Sequence, residues 1–448
     1  KALNILSNVK LRFNKKKIES LIKYPDKSIG LNENSIFENI YQLKSSECLK
    51  ISINNNKFKK SNFWKLKIKQ KKMSFKSASK GLKKLIKYTV KTRVRSNVKN
   101  SMLISGGLDS NTIASYAKDY SKIKGYSLIS SDKQYDETDL IKKSIKKNKF
   151  SNKFIKSSNA KSLSILESII ENSYNILPTT SSLGFALLCE KIKKDQNKMI
   201  LTGVGGDELF AGYYVNYLAH ILSFKGKKFR EKYNFWKNNI KKFIRNKNLK
   251  NLNSRKLKKN LYRLNFYIEN DQIIKNYFKD KSSLKVKKLS KDIFYNNMLQ
   301  HLFIQNVPTQ NMANDLVSMH YSLEARAPFL SHKIFDFIYS TKKDYFMYKG
   351  LPKSLLRETV KNKLDNSIIK NLEKIGFYSP FFSFFSKRDR KKIFSYLKNS
   401  KIIYQFIKKS KLLELIKNQA KQNISHSASK FLFSCLNFAI LEKKIKVN

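Results

Sequence analysis

The sequence predicts an α/β fold: a parallel sheet with helices on both faces, a large helical C-terminal part, and a small antiparallel β fragment at the N-terminus. Three observations predict it. Short apolar runs alternate with helix-periodic segments between residues 100 and 202, the pattern of a parallel sheet covered on both sides. Two of those runs break at glycine-rich turns, at residues 101–110 and 201–213. From residue 300 onward the apolar spacing is helical, and 13 Gly and 6 Pro among 448 residues leave few breaks.

In chain order, residues 35–43 form an apolar-periodic piece. Residues 49–53 alternate like a strand, Asn54, Asn55 and Asn56 read as a turn, and Phe63 with residues 64–69 reads as a second strand. A charged linker, 69–76, leads to a helix over 77–95, where Leu82, Leu85, Ile86, Val90 and Val94 recur at three and four. Residues 101–104 are a strand, Gly106 and Gly107 a tight loop, and 111–120 a helix with Ile113, Ala114 and Ala117 on one face. Residues 125–129 are the next strand, and Tyr135, Asp136 and Glu137 cap a helix starting near Thr138. Phe154 and Ile155 suggest a short strand. Residues 163–176 are helical up to the break at Pro178, 182–194 are helical again, and 198–202 are a strand. Residues 220–299 are helical by pattern, and the stripe Phe229, Tyr233, Phe235, Trp236 and Phe243 reads as a packing face. The chain closes on a nearly all-apolar, buried helix at 431–441.

Composition excludes several classes. Hydrophobic content of 41% is globular rather than disordered. The longest uncharged run, 172–189, contains Pro178 and many polar residues, so no membrane span is expected. Cys48, Cys189 and Cys435 are far apart, and neither they nor the five histidines show metal-ligand spacing. That usage fits a reducing, cytoplasmic setting. The balance of 93 Lys+Arg against 32 Asp+Glu gives +61. The lysines are spread along the whole chain, so the charge is better read as compositional drift than as a nucleic-acid site, although non-specific binding to nucleic acid at low salt follows from it.

Four stretches carry chemistry. The first, Ser105-Gly-Gly-Leu-Asp-Ser110, joins a strand to a helix N-terminus. Free N–H groups and the helix dipole bind phosphate there, and Asp109 offers a carboxylate to a Mg²⁺ on the same phosphates. Taken alone, such a turn is equally an ordinary connection. The second runs from Thr202 and Gly203 to Tyr213 and supplies Asp207 as a second carboxylate for one Mg²⁺. Glu208 beside it positions a base or supports its neighbours, and both acids also suit a helix N-terminus. In the third, Glu324 and Arg326 bracket a chain reversal before Pro328, where a structural ion pair is a simpler role than catalysis. The fourth, Lys374-Ile-Gly-Phe377, places a lysine that could neutralise a leaving pyrophosphate.

Together these stretches resemble a family. The first looks like the pyrophosphate loop of the ATP pyrophosphatases, a HUP-like fold. Gly203-x-Gly-Gly-Asp-Glu-Leu-Phe-x-Gly-Tyr213, Ser322-Leu-Glu-x-Arg-x-Pro-Phe-Leu330 and Lys374-x-Gly-Phe377, in this order, are similar to glutamine-dependent asparagine synthetases. The resemblance runs from about residue 75 to 448 and implies a ligase domain there. Residues 1–70 resemble the tail of the family's glutaminase domain, whose N-terminal nucleophilic Cys has no match here; that front half is either missing from this chain or lost.

The resemblance implies ATP on Ser105, Gly106, Gly107, Leu108, Asp109 and Ser110. It implies backbone positions flanking adenosine at Ile104, Leu128, Thr202 and Gly203, and Mg²⁺ on Asp109 and Asp207. Lys374, Glu208 and Arg326 are the implied catalytic residues. The carboxylate of aspartate, or of another small acid, would attack the α-phosphate, and ammonia, from glutamine where a glutaminase is present, would open the adenylate. The implied partners are these small molecules, with a homodimer compatible. Two departures stand out. Val204 replaces a usually acidic residue and cannot move a proton. Leu372 stands where the family often has Arg. Both favour a paralogue acting on another carboxylate, or a degenerate nucleotide-binding protein, as alternatives.

Overall fold

In the computed structural model, which describes residues 10–130, 135–157, 161–244, 247–251, 271–282, 288–373, 381–419 and 425–445, two sheets form. The first is an antiparallel hairpin of β1 (Glu47–Ser52) and β2 (Lys57–Asn62). The second contains β3 (Asn100–Leu103), β4 (Ile123–Ile129), β5 (Ser151–Lys156), β6 (Met199–Leu201) and β7 (Glu324–Arg326), all parallel, in the order β5-β4-β3-β6-β7. Parallel strands need crossovers, and helices supply them: α1 (Lys15–Lys23) precedes both sheets, and α2 (Phe75–Val94), α3 (Leu108–Ala117), α4 (Thr138–Asn148), α5 (Ser162–Ser173) and α6 (Ser181–Lys194) surround the strands.

The sheet is buried on both sides because adjacent side chains of a strand point to opposite faces. Met102, Met199 and Leu201 join a core with α2, α3 and later helices, while Ile200 and Tyr126 join a second core with α5 and α6. The predicted α/β class, the four predicted parallel strands and the helices between them are all present. Three expectations shift. The helix after the first glycine loop begins at Leu108, directly on Gly107 as N-cap, rather than at 111. The second N-terminal strand is β2, not residues 64–69, which have no regular structure. A tight Asn turn pairs the residues that immediately flank it, and β2 is exposed throughout, so no apolar alternation marks it. Finally, Glu324 and Arg326 lie on the edge strand β7 rather than around a reversal, although their ion pair forms, with Nε 2.8 Å from Glu324 Oε1.

Beyond β6 come α7 (Gly206–Phe210), α8 (Tyr214–Leu222), α9 (Gly226–Phe235), α10 (Ile293–Phe303), α11 (Asn306–His320), α12 (Ser354–Val360) and α13 (His426–Lys444). In α13, Phe431, Leu432, Phe433, Leu436 and Leu441 are buried, as the sequence predicts. Trp236 of the aromatic stripe is buried against Tyr233. α1 packs on α13, and its Ile18, Leu21 and Ile22 belong to the same core. Lys17 of α1 is buried, and its ammonium donates to the carbonyls of Ser28 and Ile29 and to Asn32 Oδ1; burial pulls its pKa down to about 8. Among the described residues no helix is long and apolar enough to cross a membrane. Cys189 and Cys435 are buried and Cys48 half-buried, all unpaired.

One polar cluster ties β4, β5 and α6 together. Asp195 accepts from Tyr126 Oη at 2.7 Å and pairs with Lys124, Lys153 and Lys191. Burial opposes its charge, but these donors outweigh it and hold the carboxyl well below the usual range. A depressed carboxyl adds stability that is present above the unfolded pKa of about 4 and fades as pH falls below it. Asp195→Asn is therefore expected to cost about 2 kcal/mol in urea unfolding at pH 7. Its difference from wild type should shrink below about pH 4.

Candidate active site

The first glycine loop is folded by its own side chains. Ser105 N–H donates to Ser110 Oγ (3.2 Å), Gly107 N–H to Ser105 Oγ (3.2 Å), and Asn111 Nδ2 to the carbonyls of Ser105 (2.8 Å) and Gly107 (2.7 Å). The loop is thus shaped before any ligand arrives. Glu137 does not cap α4 with its side chain; its carboxylate accepts the Gly106 N–H at 3.2 Å instead. Burial pushes the Glu137 pKa up, against the pull of that N–H. An anion on a loop amide is what a phosphate-binding turn invites.

Parallel pairing of β3 with β6 brings the second turn alongside the first. The contact is so close that a side chain at two glycines would displace charged groups. A Cβ on Gly206 would overlap the Asp109 carboxyl, and one on Gly212 would overlap Asp207 Oδ1 and the end of Lys353. The glycines of the motif make room for charged groups from elsewhere in the chain.

Lys353 was not singled out in the sequence, and it lies at the centre of the site. Its Nζ is 2.5 Å from Asp109 Oδ2 and 2.6 Å from Asp207 Oδ1. Burial alone would lower its pKa, but the two carboxylates outweigh burial and hold it above the ordinary value. The segment is pinned by Arg357, whose guanidinium donates to the carbonyls of Pro352 (2.7 Å), Ile369 and Asn371 (3.0 Å). A further tie runs from Tyr116 Oη on α3 to the Thr359 carbonyl on α12, 2.9 Å.

The two glycine turns, with Asp109 and Asp207, border a cavity of about 580 Å³ at the carboxyl ends of β3, β4 and β6, the usual ligand position in such sheets. Of the residues predicted for ATP, Ile104, Ser105, Asp109, Ser110, Leu128, Thr202 and Gly203 line it; Gly106, Gly107 and Leu108 sit in the same loop, and Leu108 is buried. Asp207 and Glu208 line it as well. Glu208 is 1% exposed, and its Oε1 accepts from Tyr213 Oη (2.5 Å) and Gln310 Nε2 (3.1 Å). Val204 faces the same space.

Arg326 is not brought to the cavity wall. Its guanidinium pairs with Glu324 and donates to the carbonyls of Arg93 (2.8 Å) and Arg95 (2.9 Å), while its own carbonyl accepts Thr202 N–H (2.9 Å). Lys374 lies outside the described residues. Leu372 is packed against the core and gives its carbonyl to Tyr214 Oη.

The carboxylates of Asp109 and Asp207 converge on one cation, beside phosphate-type amides. Two carboxylates sharing a cation with phosphates suit Mg²⁺, so the residues fit the metal. Among the described residues no cluster of three or more His, Cys, Asp or Glu forms a self-sufficient metal site. Gly212→Ala should push Lys353 off Asp207 and lower stability by about 1–3 kcal/mol, the cost of overpacking a filled site. Urea unfolding would measure this; unchanged stability would refute the role given to the close approach.

A Methanocaldococcus jannaschii protein described as "Putative asparagine synthetase (glutamine-hydrolyzing) 2" is 28% identical over 198 residues, covering 42% of this chain and 37% of the relative. The match therefore spans well under half of that relative's length. Among solved structures, an NH3-dependent NAD synthetase from Campylobacter jejuni matches at TM-score 0.22 and 16% identity, over 55% of this chain and 95% of that one. A U34-tRNA thiolase from Methanococcus maripaludis matches at TM-score 0.23 and 12% identity, over 70% and 100%. Likeness at those scores carries no weight for fold or function. The family model for asparagine synthase, in contrast, matches residues 81–441, which span β3, β6, both glycine turns, Lys353 and most of α13, and on that match the chain belongs to the asparagine synthase family.

Proposed function

We propose that the chain is an ATP-dependent amide-forming ligase that adenylates the side-chain carboxylate of aspartate and transfers ammonia to it. The carrying observation is that two glycine turns and the carboxylates of Asp109 and Asp207, which Lys353 bridges, meet in the wall of one cavity. In this reading the amides of the first loop hold the phosphates and Ile104 and Leu128 flank the adenosine. A carboxylate oxygen of the acid attacks the α-phosphorus, and the bond from that phosphorus to the bridging oxygen of the β-phosphate breaks. Mg²⁺, held by Asp109 and Asp207, would offset the charge on the phosphates as that bond opens. Lys374 is proposed to neutralise the departing pyrophosphate.

Ammonia then attacks the acyl carbon, AMP leaves, and the nitrogen gives up one proton. Val204 offers no acceptor for that proton. Glu208 is the nearby buried acid, and its hydrogen bonds from Tyr213 and Gln310 fix its orientation. The small-molecule substrates and the unpaired thiols support a cytoplasmic enzyme.

Two outcomes are expected. Mg-ATP should yield AMP and pyrophosphate only when the acid substrate is present, and Asp109→Asn or Asp207→Asn should lower kcat/KM by about 10²-fold or more. Aspartate and ammonia that produce no AMP, while another small acid does, would move the assignment to that acid; ATP binding without AMP from any acid would leave a nucleotide-binding protein. Separately, Val204→Glu should raise the amide-forming rate by about tenfold without changing pyrophosphate exchange. An unaltered ratio of the two rates would refute the role given to position 204.

A further inference from the structure

Lys353 bridges Asp109 and Asp207, the carboxylate pair proposed above to hold a divalent cation. Three features show that it is placed there rather than merely near. Its side chain is buried, with the residue 9% exposed. Its backbone has φ +57, the left-handed region, which costs a non-glycine residue about 1–2 kcal/mol. Gly212 leaves an opening that the end of its side chain fills. A glycine at 353 would satisfy the backbone more cheaply, so the position is held by what the ammonium does.

We propose that Lys353 is the resident counter-ion of this carboxylate pair. It holds Asp109 and Asp207 together in the unloaded enzyme and yields them only to a divalent cation that arrives with a nucleotide. Cation and nucleotide then bind as a coupled pair. The inference rests on the ATP reading above.

The reason is electrostatic. A cation entering alone gains two carboxylates but strands a tethered ammonium in a buried site without an opposite charge, which is strongly unfavourable. A nucleotide supplies that charge. Its phosphate oxygens give the displaced ammonium charge-assisted acceptors, so each ligand removes part of the cost of the other. Linkage makes the effect reciprocal: the nucleotide raises cation affinity by the same factor as the cation raises nucleotide affinity.

Mn²⁺ is the probe, with free ion counted by electron paramagnetic resonance on the full chain. The nucleotide is an ATP analogue with a methylene bridge between the α- and β-phosphates, which cannot be cleaved at the reacting bond. Wild type is expected to bind Mn²⁺ weakly alone and about 30-fold or more tightly with the analogue. K353M should bind Mn²⁺ alone at least about tenfold more tightly than wild type and show reduced coupling, whereas K353R, which keeps the charge, should resemble wild type. Thermal melting supplies a parallel readout, since Mn²⁺ alone should raise the Tm of K353M more than that of wild type.

Unchanged or weaker Mn²⁺ binding by K353M, with coupling intact, overturns the proposal while leaving the ATP reading standing. Wild-type Mn²⁺ affinity that the bound analogue does not move overturns it whether or not K353M folds. A wild-type chain that binds no analogue overturns the ATP reading and this inference together.

Discussion

The parallel pairing of β3 with β6 is the constraint on which the site depends. Ser101 opposite Ile200 and Met102 opposite Leu201 set the register, and Ser101 Oγ reinforces it by donating to the Met199 carbonyl at 2.7 Å. With that register, both strands end at the same level and their glycine turns touch. A parallel sheet places all such turns at one end, so two stretches about a hundred residues apart in sequence become one surface. The apolar alternation that buries Met199 and Leu201 on one side and Ile200 on the other sustains this arrangement.

Charge then decides what can occupy the surface. Two carboxylates brought together from different turns repel, and the fold places the buried ammonium of Lys353 between them. On the other side of the loop, the Glu137 carboxylate rests on the Gly106 amide. The site therefore contains one of its own cations between the two carboxylates and one of its own carboxyl groups on a loop amide. Each is a group that an incoming ligand of like charge meets as a competitor. Binding in such a site replaces one set of ionic contacts with another rather than filling bare polar groups, which favours selectivity over raw affinity.

Several lysines are anchored to particular acids: Lys430 to Asp26 at 2.6 Å, joining α13 to the segment after α1, and Lys392 to Glu167 at 2.7 Å. Asp26 and Lys430 also line the cavity, opposite the glycine turns. The N-terminal segment thus contributes to the cavity wall as well as to the core.

Much of this was legible in the chain itself. The alternation of apolar runs with helical segments determined the parallel sheet, because a strand buried on both faces and an amphipathic helix have different periods. Glycines followed by acids marked the phosphate-type turns, and Asp109, Asp207 and Glu208 all reach the cavity. The edge strand β7 was not visible because three residues with charges at both ends carry no alternation. The N-terminal hairpin was misplaced for a related reason, since β2 buries no face. Lys353 was hidden most completely. It is one among many lysines, 244 residues from Asp109, in a stretch without a distinguishing pattern. Local periodicity and turn chemistry are properties of neighbouring residues, so the sequence determined the sheet and its loops. A buried ion pair depends on the approach of distant segments, and only the tertiary structure decided which ammonium would face the two carboxylates.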